Sequence, residues 1–303
     1  MIIPYVASNF GPHWGPQLSN APHSAKGDIS ADRVDLAWAA FTAGKPNATS
    51  LGKHGYSSFL DALAQTCTVL SITDYDPPFI VKSPLQLAQE KTELAYSSNK
   101  TGNAFAKLVS AQLFGVEWLI HTSQLSQTLG MTFWKLRSPD FVGLTRARDW
   151  VIVEAKGTSG SFDQKKFIIG KKQTRSLRKI NGNFPVLRAV TMSHYWGDML
   201  CGSIEDPEEF DEDAIDLDFN LEEVIRDYYE SLTPPYVSPR EIELTGRSYL
   251  LYPNAIPGFD LALPSRAEFQ LDASPIDRSW RLEVKGFMVY PDGVGMRPSS
   301  RDE

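Results

Sequence analysis

The chain has 303 residues, 42% of them apolar, and a formal charge of −7. That length suits one large domain or two small ones with a filled core, and no run approaches the ~20 consecutive apolar residues of a membrane span. Neither a signal peptide at MIIPYVASNFGPHWGP nor a disulfide framework from Cys67 and Cys201 is expected, so a reducing, cytoplasmic setting is.

Residues 1–82 are rich in Gly, Pro, Ser and Asn and read as an N-terminal extension of mixed helix and loop. Helical spacing is visible over 35–41 and over 57–70, the second with Phe59, Leu60, Leu63 and Val69 near one face. His13 and Trp14, set among glycines and prolines, read as loop, with a base-stacking contact as the functional alternative. Ser83-Pro84 is a helix start and opens a core spanning 83–204. Helical spacing through Phe105, Leu108 and Val109 carries on to Leu113, with a break expected near Ser98-Asn99. Strands are expected over 130–136, 140–144 and 150–156. Asp163 is placed to cap a helix reaching about Ile180 and closed by Asn181-Gly182. Two more strands are expected over 186–192 and 199–204.

Charge is unevenly spread. Residues 135–188 hold 13 Lys/Arg and 4 Asp/Glu, whereas residues 205–230 hold 13 Asp/Glu and a single basic residue, Arg226. The basic block is the footprint of a phosphate-binding surface. The acidic stretch, 205–235, reads as an exposed linker and a helix over 221–232; a sharper reading makes it a nucleic-acid mimic covering the basic surface. Pro234-Pro235 and Ser238-Pro239 mark a boundary. Beyond it, 236–303 is β-rich, with REIELTGRSYLLY, FDLALP and RLEVKGFMVY, and ends in a frayed tail.

The densest chemistry lies in SPDFVGLTRARDWVIVEAKG, residues 138–157. Side chains alternate along a strand, so Glu154 and Lys156 share one face and Ala155 takes the other. With Asp140, two acids and an ammonium converge at the end of a buried strand. Buried charges cost several kcal/mol each unless paired or bound to a metal, an arrangement that suits a divalent cation. Five histidines without metal spacing make no zinc site, and there is no P-loop lysine.

Pro139-Asp140, thirteen residues, then Glu154-Ala155-Lys156 resembles the signature of the PD-(D/E)xK, or restriction-endonuclease-like, nuclease superfamily. The glycine-rich turn after Lys156 and the helix carrying Gln173 are similar to its continuation, and the resemblance spans about residues 85–205. It implies an α/β (α+β) core, a central mixed sheet flanked by helices in α-β-β-β-α-β order, here with a β-rich C-terminal extension. It implies a Mg²⁺- or Mn²⁺-dependent DNA endonuclease, with a role in anti-phage defence or a mobile element and a protein partner that controls it. The metal would sit on Asp140, Glu154, the carbonyl of Ala155 and an acid from the preceding helix, with Glu93 first and Glu90 and Glu117 behind it. Lys156 would orient or deprotonate the attacking water, leaving a 5′-phosphate. Gln173 is expected on the sheet-facing side of its helix with Ile169, Leu177 and Ile180, aimed at the metal site or a phosphate, or bonded to a strand-end carbonyl. Lys166, Lys171, Lys172 and Arg175 are the candidate contacts to double-stranded DNA, with a merely solvated face as the plainer alternative. Two other readings are a non-catalytic nucleic-acid-binding or regulatory subunit and a metal-free ion-pair network. Glu283-Val284-Lys285 repeats the E-x-K pattern without an upstream P-D and reads as the solvent face of a strand.

Overall fold

The computed structural model describes all residues except 12–17, 19–23, 44–54, 126–137, 207–208, 266–279 and 300–303. β1 (Ile2–Ser8) and β2 (Ser24–Ser30) form an antiparallel pair, and α1 (Arg33–Thr42) and α2 (Gly55–Ile72) follow. β3 (Thr73–Asp76) and β4 (Phe79–Lys82) pair next, and Ser83 caps α3 (Pro84–Ala88) by accepting from the Gln86 N–H at 3.2 Å. Then come α4 (Lys91–Leu113), β5 (Val116–His121), α5 (Thr122–Leu125), β6 (Phe141–Thr145), β7 (Trp150–Gly157) and α6 (Gln164–Thr174). β8 (Leu177–Ile180), β9 (Leu187–Trp196), β10 (Met199–Glu205), β11 (Ile215–Leu217) and α7 (Leu221–Leu232) complete the body.

The described residues build a nine-stranded mixed sheet. Its main path is β5-β6-β7-β9-β10, continued by β1 and β2 with β4 and β3 alongside. β7 runs parallel to β9, and β1 parallel to β10. Val151, Ile152 and Val153 are buried on both faces, as a parallel strand in mid-sheet must be. One face carries α4, which packs on β7 and β9 and is itself covered by α1 and α2; the other face carries α6.

Several elements differ from the sequence reading. Within residues 1–82, the strands β1 to β4 belong to the central sheet, and Ile3, Tyr5 and Ala7 alternate into the core from β1. The expected strand over 130–136, His13-Trp14 and residues 300–303 of the tail lie outside the described residues; the strand beside β6 is β5. No break occurs at Ser98-Asn99. The Ser98 hydroxyl donates to the Leu94 carbonyl and that of Thr101 to the Ser97 carbonyl, so these two side chains are satisfied within α4. α6 stops at Thr174 rather than near Ile180. Leu177 and Ile180 sit instead in a short strand paired with β11, buried with Leu217 and Val224.

The acidic segment is no free linker either. Lys171 pairs with Glu205, Arg175 with Asp211 (2.9 Å) and Glu209 (3.5 Å), and Arg178 makes two bonds to Asp216 at 2.8 and 2.9 Å. Three of the block's thirteen basic residues are thus matched by acids from the segment 205–216.

The C-terminal strands β12 (Arg240–Leu244), β13 (Arg247–Ile256), β14 (Phe259–Pro264), β15 (Leu282–Val284), β16 (Phe287–Val289) and β17 (Gly295–Pro298) form a curled antiparallel sheet in the order β12-β13-β14-β17-β16-β15. Asp292 anchors it to the helical layer. Its carboxylate meets the Lys107 ammonium at 2.9 Å, the Tyr228 hydroxyl at 2.7 Å and the Trp38 indole N–H at 3.1 Å. Lys285 falls in a turn at φ 50° with its ammonium on the Glu243 carbonyl, so the second E-x-K forms no site.

Where α4 crosses the end of β7, glycine meets glycine. A Cβ on Gly157 would collide with the Ser98 carbonyl, and one on Gly102 would lie 2.6 Å from the Lys156 carbonyl. Both obstacles are backbone and cannot swing aside. Gly157→Ala is therefore expected to lower stability by about 1–3 kcal/mol through overpacking, read as a fall in Tm.

Candidate active site

Strand pairing between β6 and β7 sets Phe141 opposite Val153, which brings Asp140, just before β6, opposite Glu154. The two residues clasp each other. The Asp140 N–H donates to Glu154 Oε2 at 2.8 Å, and the Ala155 N–H donates to Asp140 Oδ2 at 3.1 Å. The ammonium of Lys156 donates to Glu154 Oε1 and, at 2.9 Å, to Gln173 Oε1. Gln173 Nε2 then donates to the Ser138 carbonyl at 3.2 Å. Gln173 thus touches the charged cluster through Lys156 and bonds the carbonyl of Ser138, in the segment that leads into β6. A ring of contacts runs Ser138, Gln173, Lys156, Glu154, Asp140.

α6 closes over this cluster, and Gly170 is why it can. A Cβ there would lie 2.7 Å from Val190, 3.3 Å from Glu154 Cγ and 3.4 Å from Lys156 Cε. The buried positions of the helix are Phe167, Gly170 and Thr174; Ile169, expected on the inner face, is exposed. The turn of the helix is offset from the expected one, although Gln173 still reaches inward.

The Glu154 side chain is 0% exposed. Burial pushes its carboxyl well above the usual carboxylate range, the Asp140 charge adds to this, and Lys156 works against it. The folded protein then holds this proton more tightly than the unfolded chain. Stability from that proton is complete below the ordinary Glu value of about 4.3 and is lost as pH rises through the folded value. In EDTA, Glu154→Gln is expected to gain Tm relative to the parent as pH rises from about 4 towards 8. A gap between the two that stays flat over that range contradicts the buried, proton-hungry carboxyl.

The remaining candidates are placed as follows. Glu93 turns back to accept from the Glu90 N–H at 3.0 Å, so both residues serve the start of α4. Glu117 is at the Thr145 end of β6, away from Asp140, where burial raises its carboxyl and the charges of Arg148 and Arg146 oppose that. Among the described residues no set of three His, Cys, Asp or Glu side chains is gathered for a metal. Lys171 and Arg175 are engaged by acids and do not form an open phosphate surface. Lys166 donates to the Gly157 carbonyl at 3.5 Å, beside the cluster, and neither it, Lys165 nor Lys172 has a carboxylate partner among the described residues. Sequence reasoning misses Ser138, Thr191, whose hydroxyl donates to the Glu154 carbonyl at 3.2 Å, and Gly170. Only Gly170 leaves a signal: a glycine inside a helix is costly and marks a close approach.

Comparison of the chain with protein-family models, with characterised proteins and with solved structures gives no match. No helix of the described residues is long and apolar enough to cross a membrane. What the site can do therefore rests on its own chemistry. Two carboxyl groups and one ammonium make a cluster of oxygen ligands from which a bound cation would displace the Glu154 proton. The carbonyl of a strand residue leaves on the same edge as its N–H, so that of Ala155 faces the Asp140 side. Mg²⁺ commonly takes one or two carboxylates and completes its shell with water and substrate phosphate, and this donor set fits it.

Proposed function

We propose that the protein is a metal-dependent nuclease of restriction-endonuclease-like architecture that hydrolyses DNA phosphodiester bonds. The observation that carries this reading is the mutual clasp of Asp140 and Glu154 on neighbouring strands, with Lys156 and Gln173 joined to it. The order α4, β5, β6, β7, α6, β9 around that clasp supports it.

Asp140, Glu154 and the Ala155 carbonyl would hold Mg²⁺ or Mn²⁺. When bound, the ion polarises the phosphate and acidifies a water. Lys156 has the ammonium needed to orient that water and to offset charge gathering on the phosphoryl oxygens. Gln173 fixes the ammonium by accepting one of its N–H bonds, and Ser138 fixes Gln173 in turn. The DNA backbone would follow Lys165, Lys166 and Lys172, not the acid-matched Lys171, Arg175 and Arg178.

A non-cleaving nucleic-acid-binding subunit is the second reading, favoured by the engagement of both Glu154 oxygens inside the protein. Supercoiled plasmid incubated with Mg²⁺, Mn²⁺ or EDTA separates the two. Nicking that requires the cation supports the nuclease. DNA binding that is indifferent to EDTA, with no nicking at any cation concentration, removes the nuclease reading and leaves the binding subunit.

A further inference from the structure

Trp196, at the end of β9, is 78% exposed, more than any other large apolar side chain among the described residues. It stands on the same face of the sheet as the acids. Glu154 is in register with Val190 and Lys156 with Met192, and in β9 the side chains of Val190, Met192, His194 and Trp196 follow one another on that face. α6 covers the first two through Phe167. His194 is covered by the Phe162 ring, with centroids 5.7 Å apart, and Phe162 is itself 37% exposed. Nothing among the described residues stacks on Trp196.

The tip that carries this indole is braced. Lys82 donates to the Gly197 carbonyl at 3.2 Å and pairs with Asp198 at 3.6 Å, and its N–H donates to the Asp198 carbonyl at 2.9 Å. The loop from β7 to α6 is pinned to the same strand, since Thr158 donates to the Ser193 carbonyl and Tyr195 to that of Gly160, at 3.0 and 2.8 Å. With the backbone of the tip held, only the two side-chain torsions of the indole are left to order on binding. Lys165 and Lys166, without carboxylate partners, lie on the stretch of α6 next to Phe162.

We infer that Trp196 is a stacking platform for a base of single-stranded nucleic acid leading into the Asp140–Glu154 cluster. The inference rests on the nuclease reading and deepens it. At ~3.3 Å per strand residue, the six residues from Val190 to Trp196 span about 20 Å. A stacked nucleic-acid strand advances about 3.4 Å per nucleotide, so the base on Trp196 would be at most about six nucleotides from the scissile phosphate, and fewer in an extended strand. An indole presents a π-face to any base, so the preference is for unpaired over paired strands, not for sequence.

The probe is a fluorescently labelled 12-nucleotide single strand and a blunt duplex of the same length, titrated by anisotropy in EDTA. Trp196→Ala is expected to bind the single strand about tenfold more weakly or worse, Trp196→Phe within about threefold of the parent, and all three proteins to bind the duplex alike. Equal affinity of parent and Trp196→Ala for the single strand overturns the inference, as does an equal loss on both probes or no single-strand binding by the parent. Plasmid nicking with Mg²⁺, measured separately, decides the nuclease reading whatever these affinities are.

Discussion

Asp140→Asn, Glu154→Gln and Lys156→Ala are each expected to slow Mg²⁺-dependent cleavage by about a thousandfold or more. The first two remove a carboxyl from the pair proposed to hold the cation, and among the described residues no third His, Cys, Asp or Glu is gathered to replace it. The third removes the ammonium that touches Glu154 and Gln173. These residues act as one unit, so their effects should not add. Asp140→Asn/Glu154→Gln is expected to be no slower than the worse single variant. Single-turnover cleavage of a labelled duplex, with Tm measured alongside, reads the result. Variants that remain folded and cleave within about tenfold of the parent are incompatible with catalysis at this cluster. Gln173→Ala should be milder, about tenfold to a hundredfold, because it loosens the ammonium without removing it.

The largest expected loss of stability lies elsewhere. Lys107→Ala should cost about 3–5 kcal/mol, because it strands the Asp292 carboxylate in a fully buried setting. Burial pulls the Lys107 ammonium below the usual lysine range, and the Asp292 charge opposes that pull. The other donors to the Asp292 carboxylate, the Tyr228 hydroxyl, the Trp38 indole and the Val294 N–H, are neutral and cannot replace the cation. Chemical denaturation of the two proteins measures the difference. A loss under about 1 kcal/mol contradicts the account of a dry, interdependent cluster. The same variant should cleave DNA normally at low temperature, since Lys107 is remote in sequence and contact from Asp140 and Glu154.

How far this architecture is legible in the sequence depends on the range of the forces involved. The convergence of Asp140, Glu154 and Lys156 can be read because it follows from strand alternation and one antiparallel pairing. α4 is visible through the spacing of Phe105, Leu108 and Val109, yet Ser98 and Asn99 suggest a break that packing and local hydroxyl bonds forestall. Leu177 and Ile180 fit a helical stripe as well as a strand; what decides is β11, which arrives some forty residues later. The pairing of Lys171, Arg175 and Arg178 with acids at 205–216 is likewise settled only in three dimensions, although both charge blocks are plain in the composition. β5 is overlooked because VEWLIH is short and abuts a helix.

The position of β1 bears on how the chain reaches this state. Tyr5 is in register with Gly202 and Ala7 with Ile204, so the amino-terminal strand takes up its parallel neighbour only after some two hundred residues have been made. Until the ribosome has released that neighbour, residues 2–8 have β2 on the antiparallel side and, at Ile2 alone, β4 to pair with. Such distant partners slow the search and leave nascent chains open to wrong association, so production in cells should respond strongly to translation speed, temperature and chaperone supply.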